Sequence, residues 1–93
     1  MGEIKRFDSF SVYMYNYDND RHNFPHIHIR YKHGSETVIK LEDGLPIEGE
    51  KSFANLSKKS KKAFFDWYKT NREELLSCWD GAVTGDIEIY KIG

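Results

Sequence analysis

Between residues 10 and 41 the side chains alternate in character, and from residue 57 onward they recur with helical spacing; this change of period limits the possible folds more than any other feature. The runs FSVYMYNY (10–17), PHIHIRYK (25–32) and ETVIKL (36–41) are rich in β-branched and aromatic residues and read as strands. DNDRHNF and HGS, which separate them, are turn chemistry. Residues 42–56 read as loop, with one short extended piece near Pro46 and Ile47. SKKSKKAFFDWYKT then places Phe64, Trp67 and Tyr68 on one helical stripe, and NREELLSCWDGAV carries the stripe through Leu75, Trp79 and Val83. Asn71 and Glu74 stand at capping-box spacing, which predicts a second helix beginning there. DIEIYKI (86–92) can return as a strand.

Alternation also predicts register, because a slip of one residue turns every side chain to the other face. Setting Phe10 opposite Tyr31, Val12 opposite Ile29 and Met14 opposite Ile27 makes one face wholly apolar, with Tyr13 opposite His28 and Tyr15 opposite His26 behind it. A three-residue loop of His33, Gly34 and Ser35 pairs Tyr31 with Thr37, Ile29 with Ile39, Ile27 with Leu41 and Lys32 with Glu36. The reverse face then collects Tyr13, Tyr15, His26, His28, Arg30, Val38 and Lys40. Helices packed on the apolar side leave that face open. The expected fold is a single α+β domain over residues 1–93, an antiparallel sheet of three to four strands packed on two consecutive α-helices in two layers.

Composition supports a folded chain. Aromatics at 15 % within a hydrophobic content of 39 % mean that large side chains carry the packing. A lone cysteine excludes an internal disulfide framework, and no apolar run reaches the roughly 18 residues of a membrane span. MGEIKRFDSF is neither a signal peptide nor a myristoylation site, so the expected location is cytoplasmic. The net charge of −1 hides a basic cluster at 58–62 and acidic ones at 42–50 and 73–74, so arguments about partners are local.

His26 and His28 lie two positions apart on a strand, which puts their Cα atoms about 6.5 to 7 Å apart on one side. As an acid–base pair they would divide proton removal and delivery at a phosphodiester, held by Arg30 and Lys40, and cleave RNA without a metal. As metal ligands they would join His22, with Asp18 or Asp20 as a carboxylate, around a divalent transition ion such as zinc. As structural residues they would bond to loop backbone and hold the preceding turn. Lys58, Lys59, Lys61 and Lys62 stand at the positive end of a helix dipole, where cations are unfavourable, and form either an anion site or a solvated face. Tyr13 and Tyr15 beside Arg30 form either a stacking platform for RNA bases or cross-strand packing. Cys78, Trp67 and Trp79 read as core.

The run VYMYNYDNDRHNFPHIHIRYKHGSETVIKLEDG, followed by Trp67 and REELLSCW, resembles the small bacterial family known as domain of unknown function 4160 over roughly residues 12–83. His22, Pro25, His26 and His28 match its His-x-x-Pro-His-x-His pattern, and Glu74, Leu75 and Trp79 match its second helix. The chain departs from that pattern in Arg30, where an acidic residue is common, and in its lysine-rich helix start, which tilts the open face toward anions. The resemblance implies a module of toxin–antitoxin type and supplies no catalytic residue. The expected function is therefore a binding module whose open His, Arg and Tyr face takes a partner protein or RNA, without a cofactor. RNA cleavage by His26 and His28 and metal binding by His22, His26 and His28 are the alternatives, and whether the protein is an enzyme stays open, as does its oligomeric state.

Overall fold

The computed structural model describes residues 2–16, 24–32, 34–49, 53 and 56–93. Among these residues four strands, β1 (Glu3–Arg6), β2 (Phe10–Tyr13), β3 (His26–Tyr31) and β4 (Glu36–Lys40), form an antiparallel sheet in the order β1-β2-β3-β4, followed by one helix, α1 (Lys58–Thr84). The α+β arrangement with an antiparallel sheet holds; the two consecutive helices do not.

The first hairpin has the register that alternation predicts, with Phe10 opposite Tyr31, Val12 opposite Ile29 and Tyr13 opposite His28. Met14 lies past the end of β2 and turns its N–H to Gly2 O at 2.7 Å. The second hairpin differs from its prediction by two residues, pairing Ile29 with Thr37, Ile27 with Ile39 and Arg30 with Glu36. The reason is the turn. Gly34 has φ 100° and donates to Tyr31 O, while Tyr31 donates to Ser35 O, so glycine closes the loop instead of standing at its centre. A slip of two keeps every side chain on its predicted face.

β1 has no counterpart in the predicted strands, because its four residues contain a single apolar one, Ile4. It pairs with β2 through a bulge between Glu3 and Lys5 that lets both Glu3 and Ile4 be buried. Gly2 is needed beside it: a Cβ there would lie 1.9 Å from Met14 O. The C-terminal segment does not become a strand; it runs along β1, with Ile92 N–H donating to Ile4 O at 2.8 Å. Trp67 Nε1 donates to Ile92 O, Lys5 Nζ donates to Gly93 O and Lys91 pairs with Glu3. On the other edge Lys40 N–H donates to Leu45 O and Ile47 N–H to Val38 O. Both outer strands are thus partly covered, which removes free ladder groups from these edges.

α1 starts at Ser57, whose hydroxyl accepts from Ser60 N–H, and ends at Gly85 in the left-handed region, where Gly85 N–H bonds Ala82 O and Asp86 N–H bonds Gly81 O. It passes through Asn71 because the two stripes are in phase: Tyr68 and Leu75, seven residues apart, are both buried on one face. Asn71 does not cap. Its Nδ2 donates back to Trp67 O at 2.8 Å, and Thr70 Oγ1 donates to Asp66 O, so both polar side chains fold onto the preceding turn.

The core lies between this helix face and Ile4, Phe10, Val12, Ile27, Ile29 and Ile39 of the sheet. Phe64 is its aromatic centre, edge-on to Phe10 at 6.3 Å and stacked with Tyr68 at 6.2 Å. Trp67, Trp79 and Cys78 are buried as expected of core residues, and burial raises the Cys78 thiol pKa, away from nucleophilic use.

Candidate functional site

The side of the sheet away from α1 carries a connected set of polar rings and charges. Tyr13 ends β2, Tyr15 follows it, His28 and Arg30 alternate on β3, and Glu36 begins β4 directly opposite Arg30. The Arg30 guanidinium lies over the Tyr13 ring, 4.5 Å from its centroid, and Arg30 Nη2 donates to Tyr15 Oη at 3.1 Å. Tyr15 Oη donates in turn to Glu36 Oε1 at 3.2 Å. Burial, together with the neighbouring Glu36 carboxylate, raises the Tyr15 phenol above its ordinary pKa, which keeps that proton in place at neutral pH. His28 Nδ1 lies 3.6 Å from the same Glu36 oxygen, an ion pair when the ring is protonated. Tyr13 and Tyr15 are nearly parallel at 14°, with centroids 6.1 Å apart, and Tyr15 meets His28 edge-on at 4.8 Å. A cleft of about 310 Å³ opens beside them between Gly2, Met14, Asn16, Arg30 and Ile89.

His26 keeps the side of the ladder that alternation gives it, opposite Lys40, but it is buried there, not open. It is 1 % exposed, its Nδ1–H donates to Phe24 O at 2.8 Å, and its ring lies 6.2 Å from Trp79 and 5.2 Å from His28. Standing first in β3, it reaches the core rim at the end of the sheet, where an imidazole bonded to backbone closes the interior. An acid–base pair facing solvent therefore loses one of its members, and His28, half-buried, stays with the face. His22, Asp18 and Asp20 of the metal alternative lie outside the described residues. Among the described residues no three His, Cys, Asp or Glu side chains gather into a metal-binding group.

Of the predicted anion-binding residues, Arg30 gathers with Tyr13 and Tyr15, and the lysines stand elsewhere. Lys40 pairs with Asp43 at 3.1 Å and stands at a different cleft. Lys58, Lys59 and Lys62 are exposed and Lys61 half-buried on the first turns of α1, on the opposite layer from Arg30, and Lys62 pairs with Asp66 at 2.8 Å. Glu36, which sequence reasoning matched to Lys32, belongs instead to Arg30, Tyr15 and His28. The signal that finds it is Gly34, since a glycine at the closing position of the loop sets the pairing.

No helix among the described residues is long and apolar enough to cross a membrane. A family model described as a domain of unknown function (DUF4160) matches residues 9–80. No curated protein and no solved structure matches the chain.

Proposed function

We propose, for a chain that belongs to the DUF4160 family, that the Tyr13, Tyr15, His28, Arg30 and Glu36 face is a binding surface for a partner protein. The observation that carries this reading is the exposed Arg30 held over the Tyr13 ring and anchored by Tyr15. Tyrosine and arginine dominate protein interfaces energetically, and a preorganised guanidinium loses little entropy on binding. The Arg30 charge is matched by Glu36 across the ladder, so the patch is polar without a strong sign, as suits a protein partner better than a polyanion. Partly covered outer strands favour the sheet face over its edges for contact. The family resemblance points to the partner's class, the second member of a toxin–antitoxin-type pair in the cytoplasm.

Co-expression with the product of the neighbouring gene, followed by calorimetry, tests the reading. Arg30→Ala and Tyr13→Ala each weaken the complex by about ten- to a hundredfold on this view. An unchanged affinity in both variants, or no complex at all, ends it.

A second reading rests on the near-parallel Tyr13 and Tyr15 rings, which resemble the aromatic platforms of single-stranded RNA binders. It requires salt-sensitive binding of an unstructured oligonucleotide that Tyr15→Ala weakens. RNA cleavage on the same face would rest on His28 alone, since His26 is sealed, and is tested by loss of turnover in His28→Ala. Metal binding is tested by elemental analysis of untagged protein for zinc.

A further inference from the structure

A second cleft, of about 430 Å³, lies between the start of β3, the turn after β4 and the middle of α1, lined by Phe24, Pro25, Lys40, Glu42, Arg72 and Leu76. It shares no lining residue with the cleft beside Tyr13. Its volume falls in the range of small-molecule pockets, roughly 300 to 1,000 Å³. Phe24, Pro25 and Leu76 supply an apolar wall, and Arg72 supplies the charge.

Arg72 is fixed without being neutralised. Its Nε donates to Leu41 O at 3.2 Å and to Tyr68 Oη at 3.3 Å, and its Nη2 donates to Glu42 O at 3.2 Å. Tyr68 Oη is itself buried and donates to Leu41 O at 2.6 Å, so the anchor is rigid. All these acceptors are uncharged, and among the described residues no carboxylate forms an ion pair with Arg72. A guanidinium has five N–H donors, and Nη1 carries two of them that no described residue engages. Lys40, by contrast, is matched by Asp43.

We propose that this cleft binds a small monocarboxylate with an apolar body. The carboxylate accepts from the unengaged Nη1 edge of Arg72, and the body lies against Phe24, Pro25 and Leu76. The planar fork of a guanidinium suits a carboxylate, and the partly enclosed apolar wall strengthens the charge-assisted bonds. Glu42 on the lining selects against more highly charged anions by repulsion.

Titration of the full ¹⁵N-labelled chain with phenylacetate, hexanoate and the neutral isostere phenylacetamide, followed by NMR, tests the site. Expected are saturable shifts centred on Glu42, Arg72 and Leu76 for both carboxylates, with the amide at least about tenfold weaker. Arg72→Met abolishes the carboxylate preference. Leu76→Trp fills the apolar half while keeping the arginine and abolishes all binding, so the proposal stays testable if the arginine variant fails to fold. Equal affinity for acid and amide overturns it, as do shifts centred on Tyr13 and Ile89, or no saturable shift up to about 10 mM of either acid.

Discussion

Arg30 and Glu36 face each other across β3 and β4, and the hydroxyl of Tyr15 stands between their charges, accepting from Arg30 at 3.1 Å and donating to Glu36 at 3.2 Å. A direct exposed pair is worth little, because solvent screens it and two long side chains must be ordered. With the phenol between them, the guanidinium also lies over Tyr13, and three strands contribute to one fixed polar surface.

Tyr15→Phe removes the bridge and keeps the ring. The expected cost is about 1 kcal/mol, read as a lower urea midpoint with unchanged slope. In the wild type, the Tyr15 pKa is raised above the ordinary 10.0, so the protonated phenol stabilises the fold below pH 10 and that contribution is lost as pH rises through the higher folded value. A Tyr15→Phe chain loses part of this alkaline dependence.

His26 and His28 separate by role. His26→Ala opens a buried space and removes the ring's bond to Phe24 O, for an expected loss of about 2 to 4 kcal/mol. His28→Ala, which removes a ring at the margin of the face, costs less than His26→Ala and acts also on partner affinity. Thermal unfolding and calorimetric titration of the two variants check both halves; equal destabilisation contradicts the assignment.

Asn71→Ala distinguishes one helix from two. Inside a continuous α1 the change gains helix propensity and loses a side-chain bond to Trp67 O, leaving stability within about 0.5 kcal/mol of wild type. As the first residue of a second helix, the same change would cost about 1 kcal/mol. Denaturant unfolding gives the answer directly.

Glu3 sets an acid limit. Its hydrogen bond from Lys91 and, less strongly, that from Arg6 outweigh burial and hold the carboxyl at about 2, down from the ordinary 4.5. Stability from the ionised group is therefore complete above about pH 4.5 and lost as pH falls toward 2. Glu3→Gln flattens that acid limb, and hydrogen exchange at Ile92, whose amide bonds Ile4 O, becomes less dependent on acid.

The predictions that succeeded were those that repeat over several residues. Phe10, Val12, Ile27, Ile29 and Ile39 share a face because a strand has period two, and any register that buried half of them would expose the rest. Phe64, Trp67, Tyr68, Leu75 and Trp79 likewise declare a helix face. Asn71 carries a local capping signal, but the stripe runs through it in phase, and burial of a whole face outweighs one cap. The second hairpin differs by two residues because alternation fixes which face a residue takes but not where glycine closes the loop.

Local pattern, then, determined the strands β2, β3 and β4, their facing and a helical second half, since periodicity is a property of neighbours along the chain. Tertiary structure alone decided that Glu3–Arg6 becomes an edge strand held by residues near Ile92, that His26 is buried at the rim of the core while Arg30 stays out, and that Arg72 lies on the wall of a cleft. Each of these depends on groups distant in sequence that satisfy one another's hydrogen bonds or exclude one another's water, and no window of neighbouring residues contains both partners.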